Sequence, residues 1–125
     1  MNIHESAEDY LEKILMIQEK KGEVRSIDIA EALGYSKPSV SVAMKNLREN
    51  GYISMDANGY ITLEAPGMAI AGRIYNRHKR LTRFLTLLGV SAEVATRDAC
   101  KMEHDLSDET FEKMMAHLDQ YAPEA

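Results

Sequence analysis

The sequence predicts a mainly α-helical protein in which an N-terminal winged helix-turn-helix, residues 1–64, is followed by a second helical domain, residues 65–125. Three observations favour this fold class. Apolar residues recur at spacings of three and four through most of the chain, which is typical of amphipathic helices. The tetrapeptide "LGYS" joins two short helical segments, and a strand–Asn58-Gly59–strand pattern follows them. A chain of 125 residues is long enough to bury a real core.

The first predicted helix covers residues 5–20. Leu11, Ile14 and Leu15 give it a buried stripe, and Gly22 follows "KK" as a C-terminal stop. These signals predict one amphipathic helix at the start of the chain.

The next two helices have clear start and stop signals. Ser26 is the expected N-cap of the second helix, which ends at Gly34. Ser36 is the expected N-cap of the third, Pro38 stands in its first turn, and Gly51 ends it. Two helices joined by a tight turn and followed by a hairpin form a winged helix-turn-helix, a motif whose second helix enters the DNA major groove.

Three more helices are predicted in the second half of the chain. They cover residues 66–88, which Gly89 ends, then residues 91–105, and residues 108–119 with Ser107 as the cap. The apolar residues of "FLTLLGV" and "FEKMMAHL" in these helices are candidates for a subunit interface, or simply for intrachain core.

The helix over residues 37–50 turns an apolar stripe inward and leaves a polar, basic outer face. The predicted outer residues are Ser39, Ser41, Val42, Lys45 and Arg48. Lysine and arginine can neutralise phosphates, and serine can hydrogen-bond to phosphates or base edges. DNA binding is therefore favoured over the alternative, a small helical domain with a hairpin that binds no nucleic acid.

Composition and charge narrow the class of protein. One cysteine excludes an internal disulfide framework, the charged N-terminus is unlike a signal peptide, and no apolar run is long enough to span a membrane, so a cytoplasmic protein is predicted. The net charge of −5 hides an asymmetry: residues 73–83 carry five Arg or Lys and no acid, whereas residues 91–125 carry nine acids against three bases. A basic segment and an acidic segment suit a protein that faces phosphates with one surface and holds cations with another.

Six side chains are candidate metal donors because of their spacing and chemistry. They are Asp9, Glu12, His78, Cys100, Glu103 and His104. The last three stand at i, i+3 and i+4, on one face of a helix, and the first two stand at i and i+3. Mixed oxygen and nitrogen donors suit Mn(II), Fe(II), Co(II), Ni(II) or Zn(II), and a thiolate favours the metals other than Mn(II). The spacing alone leaves open solvated acids beside a core cysteine.

Four segments together resemble the iron- and manganese-dependent repressors of the DtxR/MntR family over essentially the whole chain: "SAEDYLEKI", "RSIDIAEALGYSKPSVSVAMKNLRENGYI", "YNRHKRLTRFL" and "ACKMEHDLSDE". The resemblance implies a winged-helix DNA-binding domain followed by an α-helical dimerisation domain, the two sharing a metal site. It also implies the short form of the family, without the SH3-like domain that longer members add.

The resemblance implies the same six residues as metal ligands. These six residues combine features of two branches of the family. Cys100 is typical of the iron-responsive branch, whereas Asp9 and Glu12 match the manganese-responsive branch, and His78 matches a ligand common to both. Thr82 and Thr96 stand where the iron branch has ligands of a second, ancillary site, so a compact site with one or two ions is expected.

In the helix that faces DNA, the resemblance adds Ser36 and Pro38, with Lys37 between them, to the residues expected near DNA. Val42 stands where some members use a glutamine for base contact, and it can instead touch a thymine methyl group. A changed operator sequence is therefore expected.

The predicted function is a metal-dependent transcriptional repressor and not an enzyme. It binds Fe(II) or Mn(II), with Zn(II), Co(II) or Ni(II) as substitutes, and then, as a homodimer, a palindromic double-stranded operator of metal-homeostasis genes. Two alternatives stay open: a winged-helix regulator that senses redox state through Cys100 or a small ligand, and a small metal-dependent hydrolase.

Overall fold

The computed structural model describes residues 5–121, so the ends of both predicted domains, residues 1–4 and 122–125, lie outside the described residues. Eight elements follow one another in the order α1 (Glu5–Lys21), α2 (Ser26–Leu33), α3 (Lys37–Glu49), β1 (Ile53–Met55), β2 (Ile61–Leu63), α4 (Ala65–Leu87), α5 (Ala92–Met102) and α6 (Asp108–Tyr121). The fold class predicted from the sequence is confirmed: a helical protein with a two-stranded wing.

The chain divides into two compact units, Met1–Tyr75 and Asn76–Ala125. The division falls within α4, eleven residues after the predicted domain boundary between residues 64 and 65. That predicted boundary stays a prediction. Among the described residues, no helix is both long and apolar enough to cross a membrane.

Helices α1, α2 and α3 pack around one apolar core in the first unit. Its fully buried side chains include Leu11 and Ile14 from α1, Ile29 from α2, and Val40 and Met44 from α3. The predicted stripes of α1 and α3 are therefore the faces that the fold buries.

Side chains and glycines set the ends of α2 and α3 as predicted, except at the start of α2. The hydroxyl of Ser36 accepts the Ser39 amide as the N-cap of α3, and Gly34 takes a left-handed φ of 71° after α2. Ser26, however, is the first residue of α2 and not its cap. Arg25 is the N-cap, and its amide donates to the Asp28 carboxylate at 2.9 Å, as in one half of a capping box.

The wing is an antiparallel pair of short strands. Ile53 pairs with Leu63 and Met55 with Ile61, so the buried side chains of both strands join the core of the first unit. At the turn, the Asp56 carboxylate accepts the amides of Asn58 and Tyr60, which closes the loop between the strands.

Gly67 marks a close approach between the first turn of α4 and the segment before β1. A Cβ atom at this position would lie 2.1 Å from the carbonyl oxygen of Tyr52, well inside van der Waals contact. The same carbonyl accepts the amide of Glu64 at 3.0 Å. Only glycine therefore allows α4 to begin against the wing in this position.

The second unit consists of the C-terminal part of α4 with α5 and α6, and it has its own core. The buried members of that core are Leu81, Ala99, Met115 and Leu118. In the two candidate interface segments, Phe84, Leu85, Phe111 and Met114 are half-buried around this core and Met115 and Leu118 belong to it, whereas Leu87 and Leu88 are exposed.

The predicted helix over residues 91–105 is shorter than expected at its C-terminal end. Helix α5 stops at Met102, and Glu103 is its C-cap residue. The Glu103 backbone keeps a helical φ of −60° and its amide donates to Ala99, so Cys100 and Glu103 still follow a helical spacing. His104 lies in the turn beyond the helix.

Candidate metal centre and nucleic-acid interface

The eight residues predicted to face DNA are all exposed on α3 or its N-cap: Ser36, Lys37, Pro38, Ser39, Ser41, Val42, Lys45 and Arg48. Val42 is the only large apolar side chain described as exposed on this helix, at 60%. The exposed face therefore has the composition of a surface that reads a groove.

Some side chains of α3 are already engaged within the first unit. The Ser36 hydroxyl donates to Ser39 Oγ at 2.8 Å while it accepts the Ser39 amide. Arg48 Nη1 lies 3.3 Å from the sulfur of Met55 in the wing. Ser41, Val42 and Lys45 are consequently the side chains of the outer face that no described contact ties down. The wing turn, Asp56–Gly59, carries no cation to assist them.

Three of the predicted metal donors meet in the second unit. The carboxylate of Glu103, which is fully buried, lies between two imidazoles. Its Oε2 is 2.9 Å from Nδ1 of His78, and its Oε1 is 3.5 Å from Nε2 of His104. Side-chain exposure is 14% for His78 and 2% for His104. A buried carboxylate flanked by two ring nitrogens is a compact N,O donor set.

Cys100 lies on α5, one helical turn before Glu103, and is exposed. The helical spacing between Cys100 and Glu103 is the spacing that the sequence predicted.

The two predicted donors of the first unit, Asp9 and Glu12, project from one face of α1. A carboxylate oxygen of each lies within 4.8 Å of the other. Glu12 is only 5% exposed, whereas Glu5 and Glu19 at the two ends of α1 are exposed. The neighbouring buried acid, Glu8, is paired with Arg73 at 3.3 Å. Two nearby carboxylates repel each other unless a cation or a proton neutralises one of them.

The residues present fit a divalent cation. Glu103 Oε1 is buried and has no hydrogen-bond partner among residues 5–121, and a buried carboxylate oxygen left in this state is unfavourable. Its surroundings are nitrogen donors that Mn(II), Fe(II), Co(II) or Zn(II) accept. At the two positions associated with an ancillary site, Thr82 and Thr96 donate their hydroxyls to carbonyls of their own helices, each at 2.8 Å.

Three of the five bases in the run over residues 73–83 pair with acids within the fold, and a phosphate-facing surface on this run stays a prediction. Arg73 is paired with Glu8 in the first unit, and Arg80 with Asp119 in the second, at 2.8 Å. Arg77, which sequence reasoning missed, is buried. The only feature of the sequence that could have drawn attention to Arg77 is its position next to His78. Its residue type does not distinguish it from the other bases of the run.

Comparisons with known proteins match both parts of the chain. The family model described as iron dependent repressor, N-terminal DNA binding domain, matches residues 2–61. The model described as iron dependent repressor, metal binding and dimerisation domain, matches residues 65–123.

Individual relatives agree with these matches. The transcriptional regulator MntR of Salmonella typhimurium is 37% identical over 121 residues, which are 97% of this chain and 77% of that protein. A solved manganese-dependent transcriptional repressor in complex with manganese has a TM-score of 0.82 at 31% identity, over 90% of this chain and 52% of that one. The solved manganese regulator SloR has a TM-score of 0.78 at 28% identity, over 95% of this chain and 55% of that one.

This chain therefore spans about half the length of the two solved chains and about three quarters of the Salmonella regulator. The family of this chain is established by two observations. Two family domains match in order, and a relative is more than 30% identical over nearly all of the residues of this chain. The chain belongs to the iron- and manganese-dependent repressors, the DtxR/MntR family, with a DNA-binding domain followed by a metal-binding and dimerisation domain.

Proposed function

We propose that the whole protein is a metal-dependent repressor that binds Fe(II) or Mn(II) and then, as a homodimer, a palindromic operator that controls metal-homeostasis genes. The observation that carries the proposal is the buried Glu103 carboxylate between His78 and His104, inside the domain that matches the family's metal-binding domain. Zn(II), Co(II) and Ni(II) are proposed substitutes because they accept the same donors.

A regulator that binds an operator shares a compartment with DNA, so we propose that it works in the cytoplasm. The relatives named above are transcriptional regulators, which supports a protein without catalytic activity. The proposed domain boundaries are those predicted from the sequence, residues 1–64 and 65–125.

The proposed metal ligands are the six donors predicted from the sequence. Glu103, His78 and His104 are supported by their mutual distances. Cys100 is supported by its helical spacing from Glu103, and Asp9 and Glu12 by their shared face on α1 and the burial of Glu12. The proposal that all six serve one metal centre rests on the family resemblance.

The proposed switch is electrostatic. In the metal-free protein the carboxylates of Asp9, Glu12 and Glu103 carry like charges, and their repulsion disfavours any arrangement that gathers them. A divalent cation supplies the positive charge that removes this repulsion. The DNA-reading helices of a dimer are then held at a spacing that fits two half-sites, about 34 Å or a multiple apart. A coupling of roughly 1–3 kcal/mol corresponds to about 5–150-fold tighter DNA binding.

The DNA-facing residues are proposed to act in two ways. Lys37, Lys45 and Arg48 neutralise phosphates, so that affinity falls steeply with salt concentration. Ser36, Pro38, Ser39, Ser41 and Val42 form the short edge of α3 that approaches bases and sugar-phosphate. Since the two serines at the cap are engaged with each other, Ser41 and Val42 are the proposed base readers.

The test is an anaerobic titration of DNA binding. An operator is first selected from random double-stranded DNA with the Mn(II)-loaded protein. Fluorescence anisotropy then measures its affinity with no metal, Fe(II), Mn(II) and Zn(II), for the wild type, Cys100→Ala and Glu103→Ala. Glu109→Ala, which removes an exposed acid from the first turn of α6, is the matched control.

We expect metal to tighten binding at least about fivefold in the wild type and in Glu109→Ala, and to have little effect in the two ligand variants. Full metal dependence in both ligand variants would refute the proposed site. DNA binding that ignores metal but is lost when Cys100 is oxidised would instead favour a redox regulator.

A further inference from the structure

Arg77 lies immediately before His78 on α4, and its side chain is only 5% exposed. Its Nη1 donates to the carbonyl oxygen of Glu103 at 3.2 Å and to that of Leu106 at 2.8 Å. Its Nη2 donates to Asp108 Oδ1 at 2.5 Å. One buried guanidinium therefore contacts both ends of the turn that contains Glu103 and His104.

That turn has few bonds of its own. It follows the C-terminal end of α5, where the last carbonyls of a helix lack intrahelical partners. The amides of Asp105 and Leu106 both donate to the carbonyl of Met102, at 3.1 and 3.3 Å. The carbonyls of Glu103 and Leu106 point instead at Arg77, whose charge also suits the negative end of the α5 dipole.

The same guanidinium reaches the next helix. Asp108 is the first residue of α6, and the ring of Phe111 lies one turn further on, with its centroid 4.8 Å from the guanidinium carbon. A planar fork held by two carbonyls, a carboxylate and an aromatic face has little freedom to rotate. Arg77 thus fixes the turn relative to both α4 and α6 within the second unit.

We infer, on the basis of the proposed function, that Arg77 is a positioning residue for the metal centre: it holds the Glu103–Leu106 turn so that Glu103 and His104 present their donor atoms beside His78. Arg77 itself has no lone pair with which to bind an ion. Groups that orient metal ligands from behind typically change metal affinity about 10–100-fold when they are removed. The sequence gives this role to no residue, because the partners of Arg77 lie 26 to 31 positions away.

The experiment compares Arg77→Met with Arg80→Met in the full-length chain. Methionine keeps the apolar stem but donates no hydrogen bonds. Arg80 is the matched control because it lies one turn along the same helix and also binds an acid of α6, Asp119, but at the surface. Metal-free protein is examined first by amide hydrogen exchange, and then Co(II) and Mn(II) are titrated.

In metal-free Arg77→Met we expect the amides of Asp105 and Leu106 to exchange at least about tenfold faster, while those in the middle of α4 do not. Co(II) and Mn(II) affinity should fall about 10–100-fold, and the ligand-field spectrum of bound Co(II) should change. Arg80→Met should match the wild type within about twofold in both measurements.

Arg77→Lys separates positioning from general stability. A single ammonium keeps the buried charge but cannot reach both carbonyls and the carboxylate in the geometry of the fork, so Co(II) affinity should be intermediate. This variant also provides the test if Arg77→Met does not fold. Wild-type affinity and an unchanged Co(II) spectrum in a folded Arg77 variant, even one with a lower melting temperature, would overturn the inference alone. Failure of the wild type to bind Co(II) or Mn(II) would overturn the proposed function and the inference with it.

Discussion

His78 Nδ1 lies 2.9 Å from Oε2 of Glu103, and the two residues are 25 positions apart in the sequence. The contact joins the middle of α4 to the end of α5 at the one fully buried acid among the described residues. A histidine and a carboxylate in this relation can share a proton or share a cation.

Glu103→Gln should abolish high-affinity metal binding. The amide has nearly the shape of the carboxylate but lacks its charge, so it contacts His78 without attracting a cation. We expect Mn(II) affinity to fall at least about 100-fold by isothermal titration calorimetry. Glu112→Gln, an exposed change in α6, should bind as the wild type does. Equal affinity of Glu103→Gln and wild type would exclude Glu103 as a ligand.

Cys100→Glu should change which metal is preferred. A thiolate favours softer ions, whereas a carboxylate suits Mn(II). We expect the variant to gain Mn(II) affinity relative to Co(II) and Zn(II), and to lose any sulfur-to-metal charge-transfer absorption of its Co(II) form. Competition titrations measure the ratio, and Cys100→Ser serves as the control for loss of sulfur without a new charge. An unchanged preference would show that the sulfur does not bind the ion.

Val42→Gln should change the operator sequence that the protein prefers, while the affinity for its preferred operator stays the same. An exposed valine can contact a thymine methyl, whereas glutamine can hydrogen-bond to adenine. Selection from random DNA should show one altered position in each half-site, with about 1–3 kcal/mol of discrimination. Lys45→Gln provides the contrast, because loss of a phosphate contact should weaken all sequences alike and lower the salt slope by about 1. The same selected operator for Val42→Gln and wild type would contradict base contact.

Gly67→Ala should destabilise the first unit, because the added Cβ meets the Tyr52 carbonyl. Overpacking of this kind typically costs about 1–3 kcal/mol in the free energy of unfolding. Gly72→Ala, five residues further along the same helix, has open space around its Cβ and should stabilise by about 0.5–1 kcal/mol. Urea unfolding of both variants checks the pair. Opposite signs are expected, and two stabilised variants would mean that α4 begins elsewhere.

Asp28→Asn should reduce the loss of stability in acid. The pKa of Asp28 is lowered from its usual 3.8 by the hydrogen bond from Lys21 and then by that from the Arg25 amide. The folded state therefore binds this proton less readily than the unfolded state, so the contribution of Asp28 is present above pH 3.8 and is lost as the pH falls through its lower folded value.

Thermal melts between pH 7 and pH 3 measure this effect. The melting temperature of Asp28→Asn should be lower than that of the wild type at neutral pH and should approach it in acid. Glu31→Gln, on the same helix, controls for the loss of one negative charge. A constant gap between Asp28→Asn and wild type across the pH range would contradict the assignment.

The order of helices and strands could be predicted because local signals set it. Gly22, Gly34, Gly51 and Gly89 all take positive φ values where the sequence called for helix ends, and Ser36 caps α3 as expected. The predicted N-cap of α2, Ser26, was wrong by one residue. Arg25 stands directly before Ser26, and it becomes the N-cap because the Asp28 carboxylate accepts the hydrogen bond of its amide.

The candidate site could be predicted only in part. The spacing in the sequence predicts that Cys100 and Glu103 share one helical face, but only tertiary packing brings His78 against Glu103. The charge of Arg77 was visible in the sequence and its burial was not, since burial depends on carbonyls that α5 and the following turn supply. The charge pattern did not show which bases of the run pair with acids in the folded chain.

Because Cys100 is exposed, its thiol can be used to follow metal binding by chemical modification. It is the only cysteine in the sequence, so a thiol-specific reagent modifies a single known atom without any engineering. On the proposal that Cys100 is a metal ligand, the rate of that modification should fall as metal is added, in proportion to the fraction of chains whose sulfur binds the ion. Occupancy at the thiol can thus be compared, sample by sample, with occupancy of the operator.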